Sequence, residues 1–110
     1  MENCLFCKFA NNTLETTKLY EDEDMFIIRD IAPQAKNHFL CISKVHFKFI
    51  TPEYSSIVGK MLGKISQLKD LLELHEGYRI VINQGDNPGQ TVPHLHIHIL
   101  SGQKMEWHPA

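Results

Sequence analysis

The sequence predicts an α+β fold, an antiparallel sheet of about five strands with one long helix, in a single domain spanning residues 1–110. Three observations predict it. Short apolar runs of strand length, bounded by turn residues, recur along the chain. One long segment between them has helical spacing. The last run alternates strictly between histidine and aliphatic side chains. Strands in meander order with one helix between them imply a sheet covered on one face. A length of 110 residues fits one domain, and the chain has no internal repeat and no low-complexity segment.

Residues 18–21 and 25–29 read as two short strands flanking an acidic turn, Asp22-Glu-Asp24. Residues 31–37 read as a loop, because Pro33 and Asn37 interrupt the pattern. The apolar run 39–43 is a buried strand. Thr51 and Pro52 then open a helix, as N-cap and first helical residue. Tyr54, Ile57, Val58, Met61, Leu62, Ile65, Leu68, Leu71 and Leu72 follow at helical spacing, and Gly77 is placed to cap its end. Gly59 and Gly63 share one face of that helix, marking either a close approach or two tolerated glycines. Residues 78–83 form a strand, 85–90 a loop, and 94–100 the final strand.

Composition narrows the function. With 11 basic and 13 acidic residues the formal charge is −2, and no basic stripe is visible, so a nucleic acid polymer is not an expected partner. A small phosphate ligand remains compatible, since backbone N–H groups can hold it locally. No apolar run approaches the ~20 residues of a membrane span. The start, Met1-Glu-Asn-Cys4, has neither a basic nor a long apolar stretch, so the expectation is a cytoplasmic protein without membrane association. Three cysteines, an odd number, argue against a disulfide framework.

Seven histidines are many for this length, and His94, His96 and His98 carry the main signal. On a strand they share one face, leaving Leu95, Ile97 and Ile99 for the core. Neighbouring rings in such a row can share a metal ion. His94 and His98, roughly 13 Å apart along a strand, cannot both bind the same one. At least one ring therefore has another task. A neutral imidazole offers one nitrogen as nucleophile while the other donates a hydrogen bond that fixes its tautomer. A second histidine can then donate a proton to the leaving group or steady its charge. This suits attack on phosphorus, with His96 in the middle. In the preceding loop, Gly85, Pro88 and Gly89 force a tight path, and Gln90 and Thr91 offer hydrogen bonds beside the histidine face. Such a loop either cradles phosphate or is a plain hairpin.

These residues resemble the histidine triad (HIT) superfamily, and within it the nucleotide-binding branch. The resemblance rests on His94-Leu-His-Ile-His-Ile-Leu100, Gly89-Gln-Thr-Val-Pro93, Asn83-Gln-Gly85, Arg29-Asp-Ile-Ala-Pro-Gln-Ala35 and His38-Phe-Leu-Cys-Ile-Ser-Lys-Val-His46. It implies a HIT-like fold, a homodimer, and hydrolysis of purine nucleoside phosphoramidates derived from AMP or GMP. It also implies the roles of residues. His96 forms a covalent nucleotidyl-histidine, His98 contacts phosphate and leaving group, and the backbone carbonyl of His94 orients His96. Asp30 binds the ribose hydroxyls, the alternative being a turn carboxylate before a Pro-containing loop. Leu5, Phe6, Phe9, Ile28 and Ile31 match the base pocket. Asn83, Gly89, Gln90 and Thr91 match the phosphate side.

Cys4-Leu-Phe-Cys7 is one Cys-x-x-Cys pair, and zinc takes four ligands. The resemblance implies His46 and His94 as the other two, in a structural site; the bland alternative is a pair of reduced thiols. No organic cofactor is expected. Cys41 reads as a small buried hydrophobe, His38 and His75 as structural or exposed, and His108 carries no signal. Thr91 stands where serine is common, and Ser101-Gly-Gln103 where Gly-Gly-Arg is frequent. Met105-Glu-Trp107 resembles a tail that reaches the partner subunit's site, the alternative being packing on its own subunit. Competing functions are a dinucleoside polyphosphate hydrolase, a purine nucleotide-binding protein with incidental catalysis, and a metal-carrier domain.

Overall fold

The computed structural model describes residues 3–107, so His108 lies outside the described residues. Five strands form one antiparallel sheet: β1 (Tyr20–Glu21), β2 (Met25–Arg29), β3 (Asn37–Ser43), β4 (Tyr78–Val81) and β5 (His96–Ser101). Three helices accompany them: α1 (Leu5–Ala10), α2 (Ser55–Gln67) and α3 (Lys69–Leu72). The spatial order is β1-β2-β3-β5-β4. This departs from a meander, because the helical connection carries β4 to the far edge and β5 returns into the gap beside β3.

Alternation along the strands builds two apolar clusters. Met25, Ile27, Phe39, Cys41, Ile97 and Ile99 point to one face, where α2 covers them with Val58, Met61 and Ile65. Each fully buried aliphatic side chain stabilises the fold by about 1.5–3 kcal/mol relative to exposure. Phe26, Ile28, Leu40 and Ile42 point to the other face, where Cys4 and Phe6 cover them. The expected sheet with one covered face is therefore corrected to one with helical cover on both faces. Helix α1 has only six residues, too few for periodicity to reveal it. Its first turn is capped by the Cys4 sulfur, which accepts the Cys7 N–H at 3.3 Å.

The acidic turn forms where expected, the Asp22 carboxylate accepting the N–H groups of Asp24 and Met25. The long helix forms within its expected span but starts later and ends earlier. Thr51 and Pro52 lie in a turn, closed by Tyr54 N–H donating to the Thr51 carbonyl, and α2 starts at Ser55 without a side-chain cap. Helical geometry breaks at Leu68, and α3 ends when Glu73 turns left-handed, at φ 58°. That reversal brings Leu74 into the core. Gly77 (φ 110°) shapes the turn into β4 rather than capping a helix. Among the described residues no helix is long and apolar enough to cross a membrane.

Gly59 and Gly63 are exposed, and a Cβ built at either meets no atom within 4 Å. They are tolerated helix glycines within this chain. Gly59→Ala should therefore stabilise the protein by about 0.5–1 kcal/mol, read as a higher urea midpoint at unchanged m-value. A lower midpoint would mean that another surface approaches this face.

Candidate active site and metal centre

Strand β5 begins at His96, two residues later than expected, because the chain bends through Val92–His94. His94 N–H donates to the Val92 carbonyl at 2.8 Å, and Leu95 N–H to the Phe47 carbonyl at 2.6 Å. Leu95 still reaches the core, and His96 and His98 still share a sheet face, with ring centroids 5.1 Å apart. His94, released from the strand repeat, turns toward the N-terminal segment. Phe6 of α1 packs edge-on against both His94 and His96, at 5.8 and 5.1 Å between centroids.

The turned His94 completes a four-residue cluster. Its Nδ1 lies 3.3 Å from Cys4 Sγ, 3.5 Å from Cys7 Sγ and 3.2 Å from His46 Nδ1, while Cys7 Sγ is 3.1 Å from His46 Nδ1. All four ligand atoms lie within 4.8 Å of one another, so the group can hold a metal ion. The donor set fits that use. Tetrahedral zinc with S and N ligands has ligand–ligand edges of roughly 3.3–3.8 Å, close to those present. The opposite nitrogen, His94 Nε2, donates to the Ser43 carbonyl at 2.6 Å. A carbonyl can only accept, so the proton sits on Nε2 and Nδ1 presents its lone pair to the cluster, the arrangement of a ligating histidine. Burial, together with His46 and His96 alongside, lowers the His94 pKa and keeps the ring neutral. Burial and the adjacent Cys4 sulfur push the metal-free Cys7 thiol up to about 11. A bound cation reverses that tendency by drawing out the thiolates.

One atom of His94 faces the other way. Its backbone carbonyl lies 2.8 Å from His96 Nδ1, which must donate to it. Nε2 is thereby left as the uncommitted nitrogen of His96, a residue that is 8% exposed. His98 lies beyond, and burial, reinforced by His96 and His38, pushes its pKa down to about 4, so it is neutral at pH 7. Its Nδ1 is 2.8 Å from His38 Nε2. Asp30 stands beside them, its Oδ2 3.4 Å from His38 Nε2 and its Oδ1 accepting the Ala32 N–H at 2.8 Å. His38, read from sequence as structural or exposed, is the residue of this site that sequence reasoning missed. Residue alternation places it on the same face as Leu40 and Ile42, but only the β3–β5 register brings it beside His98.

The apolar residues expected to form a pocket divide. Phe6 and Ile28 are buried in the second cluster and Phe9 packs against it, whereas Leu5 and Ile31 are exposed. In the loop before β5, Gln90 acts as a brace. Its amide oxygen accepts the Gly85 N–H at 2.9 Å and its amide nitrogen donates to the Lys48 carbonyl at 3.0 Å. Gly89 takes a positive φ of 103°, and its N–H is committed to the Asp86 carbonyl. Asn83 is half-buried and Thr91 exposed beside them. Cys41 is fully buried against Met25, as expected, and burial raises its pKa far above the usual thiol range. His75 is exposed and paired with Asp70. Gln103 accepts the Lys36 N–H at 2.7 Å. Arg79 of β4 donates to the Glu106 carbonyl at 3.1 Å and lies 5.9 Å from the Trp107 ring, so the tail rests on its own chain with the indole exposed.

A family model for the HIT domain matches residues 11–105, a span that starts after α1 and leaves Cys4 and Cys7 outside it. Protein HitA of Neisseria gonorrhoeae is 41% identical over 103 residues, covering 91% of this chain and 96% of that protein. The crystal structure of a HIT family hydrolase from Legionella pneumophila Philadelphia 1 is similar with a TM-score of 0.85 and 38% identity, covering 98% of this chain and 100% of that one. A histidine triad protein from Clostridium difficile is similar with a TM-score of 0.91 and 33% identity, covering 98% and 97% of the two chains.

The four-residue cluster predicts one tightly held metal ion per chain in protein purified without chelators. Elemental analysis should find it in the unaltered protein and not in Cys7→Ser after the same dialysis. Equal metal content in both would place the ion elsewhere.

Proposed function

The chain belongs to the HIT domain family, and on that premise we propose that it hydrolyses purine nucleoside phosphoramidates, AMP–X to AMP, through a covalent nucleotidyl intermediate on His96. The observation that carries this reading is the 2.8 Å hydrogen bond from His96 Nδ1 to the His94 carbonyl. It holds a proton on Nδ1 and so leaves Nε2 as the nitrogen that acts as nucleophile, with a second imidazole, His98, alongside. Nε2 forms a bond to phosphorus as the P–X bond breaks, X leaving with the bonding electrons. Water then attacks phosphorus and the P–N bond breaks, restoring His96. Over both steps one water is consumed, its hydroxyl going to phosphorus and its other proton to X. His98 contacts the phosphate and the leaving group. His94 acts through its carbonyl by fixing the orientation of His96.

The nucleotide lies across the sheet face that carries the histidines. Asp30 takes the ribose hydroxyls through Oδ2, the oxygen not occupied by its own turn. Leu5, Phe6, Phe9, Ile28 and Ile31 line the base side, the exposed Leu5 and Ile31 forming its rim. Asn83, Gly89, Gln90 and Thr91 border the phosphate, Gln90 by bracing the loop. Cys4, Cys7, His46 and His94 would hold zinc, which would supply a structural crosslink between the N-terminal segment and the bend before β5. The protein works as a homodimer, a reading supported by the edge strand β4 and the exposed Trp107 beside it. Its three cysteines, none of them in a disulfide, suit a reducing compartment such as the cytoplasm.

Release of AMP from adenosine 5′-phosphoramidate should fall by about a thousandfold or more in His96→Ala, with AMP binding retained. Equal rates would overturn the mechanism. Faster turnover of diadenosine polyphosphate than of the amidate would reassign the substrate. Tight AMP binding without turnover of either would make the protein a nucleotide binder.

A further inference from the structure

His38 is 5% exposed, its backbone sits in β3, and both of its ring nitrogens are engaged. The Gln34 N–H donates to Nδ1 at 3.0 Å. A backbone N–H cannot accept, so Nδ1 carries the lone pair and the proton of the neutral ring lies on Nε2. That N–H meets His98 Nδ1 at 2.8 Å, which must then be an acceptor. The proton of His98 is forced onto its own Nε2. A single main-chain donor thus dictates, through two rings, which edge of His98 carries hydrogen.

The same logic rules out the other use of this trio. Asp30, His38 and His98 lie close enough together to hold a metal ion. Ligation through His38 Nε2 would need a lone pair where the Gln34 N–H has placed a proton. The 2.8 Å separation is a hydrogen bond between imidazoles, and Asp30 Oδ2 at 3.4 Å is a second acceptor lying near that same proton.

Resting on the hydrolase reading above, we propose that His38 is a positioning residue for the reaction, holding His98 in the tautomer that presents Nε2–H to the substrate. The opposite tautomer would turn a lone pair toward anionic phosphate oxygens and the departing group, repelling both. The proposed one offers them a donor throughout, so the contact strengthens as negative charge builds on the leaving atom. His38 itself touches no substrate.

Two substitutions separate this role from simple packing. In His38→Gln the amide NH2 takes the place of Nε2 and keeps a donor toward His98, while the acceptor for Gln34 is lost. In His38→Asn the amide takes the place of Nδ1, so the Gln34 bond is kept and the donor to His98 is lost. For an amidate with a poor leaving group, His38→Asn should lower kcat by about 10–100-fold with KM within about twofold, and the loss should shrink for a good leaving group. His38→Gln should retain most of the activity. Equal activity of His38→Asn and the unaltered protein would overturn the proposal, as would a His38→Gln loss exceeding that of His38→Asn. Long-range 1H–15N spectra of the unaltered protein give a readout independent of any substrate. Both His38 and His98 should be protonated at Nε2 and bare at Nδ1. A His98 protonated at Nδ1 would overturn the proposal even if the hydrolase reading stands, and the predicted tautomers would uphold the positioning even if no amidate is turned over.

Discussion

The structure turns on His94, because three of its atoms each answer a different demand. Nε2 donates to the Ser43 carbonyl, Nδ1 faces the two cysteine sulfurs and His46, and the backbone carbonyl accepts from His96. The ring is fully buried, so none of these groups can fall back on water, and each pairing is costly to leave unmade. The bend at residues 92–94 makes this possible. A histidine held in the strand repeat would lie in the row with His96 and His98. Released from it, His94 reaches sideways into the N-terminal cluster while its carbonyl stays at the head of β5.

A common rule then orders the buried imidazoles. In each, one nitrogen is committed to a partner whose polarity admits no alternative, and the other is left with a defined character. A carbonyl makes His94 a lone-pair donor to the cluster, and another carbonyl holds a proton on His96 Nδ1, so that Nε2 is the nitrogen left to react. A main-chain N–H, acting through His38, makes His98 a proton bearer at Nε2. Burial keeps His94 and His98 neutral, so the tautomer rather than the charge decides what each offers. Backbone groups of β3, its flanking loop and the 92–94 bend thus set up two rings of opposite character side by side.

Much of this was legible in the chain, and the rest fails for identifiable reasons. Strand β2 matches its expected bounds because Met25–Arg29 is apolar and bounded by an acidic turn. Leu95, Ile97 and Ile99 go to the core because alternation permits nothing else. The cluster of Cys4, Cys7, His46 and His94 follows from resemblance and not from spacing, since the Cys4–Cys7 pair, His46 and His94 are far apart in sequence. The apolar spacing runs past the end of α2 because Leu68, Leu71 and Leu72 continue it through the break at Leu68. The placement of β5 between β3 and β4 leaves no local trace, and with it went the role of His38, which needs the neighbouring strand to acquire meaning. Gln90 looked available because side-chain polarity says nothing about which partner is nearer, a ligand or Gly85 and Lys48.

The hydrogen bond from His96 Nδ1 to the His94 carbonyl leaves one nitrogen free to react, and the position of the covalent bond tests this most directly. The measurement is 31P NMR of protein carrying 15N-labelled histidine, trapped during turnover of an adenylate amide. The account predicts a phosphorus–nitrogen coupling to Nε2 of His96 and to no other ring nitrogen. A nucleotidyl group on Nδ1, its appearance on another histidine, or turnover without any phosphorus–nitrogen species would contradict it.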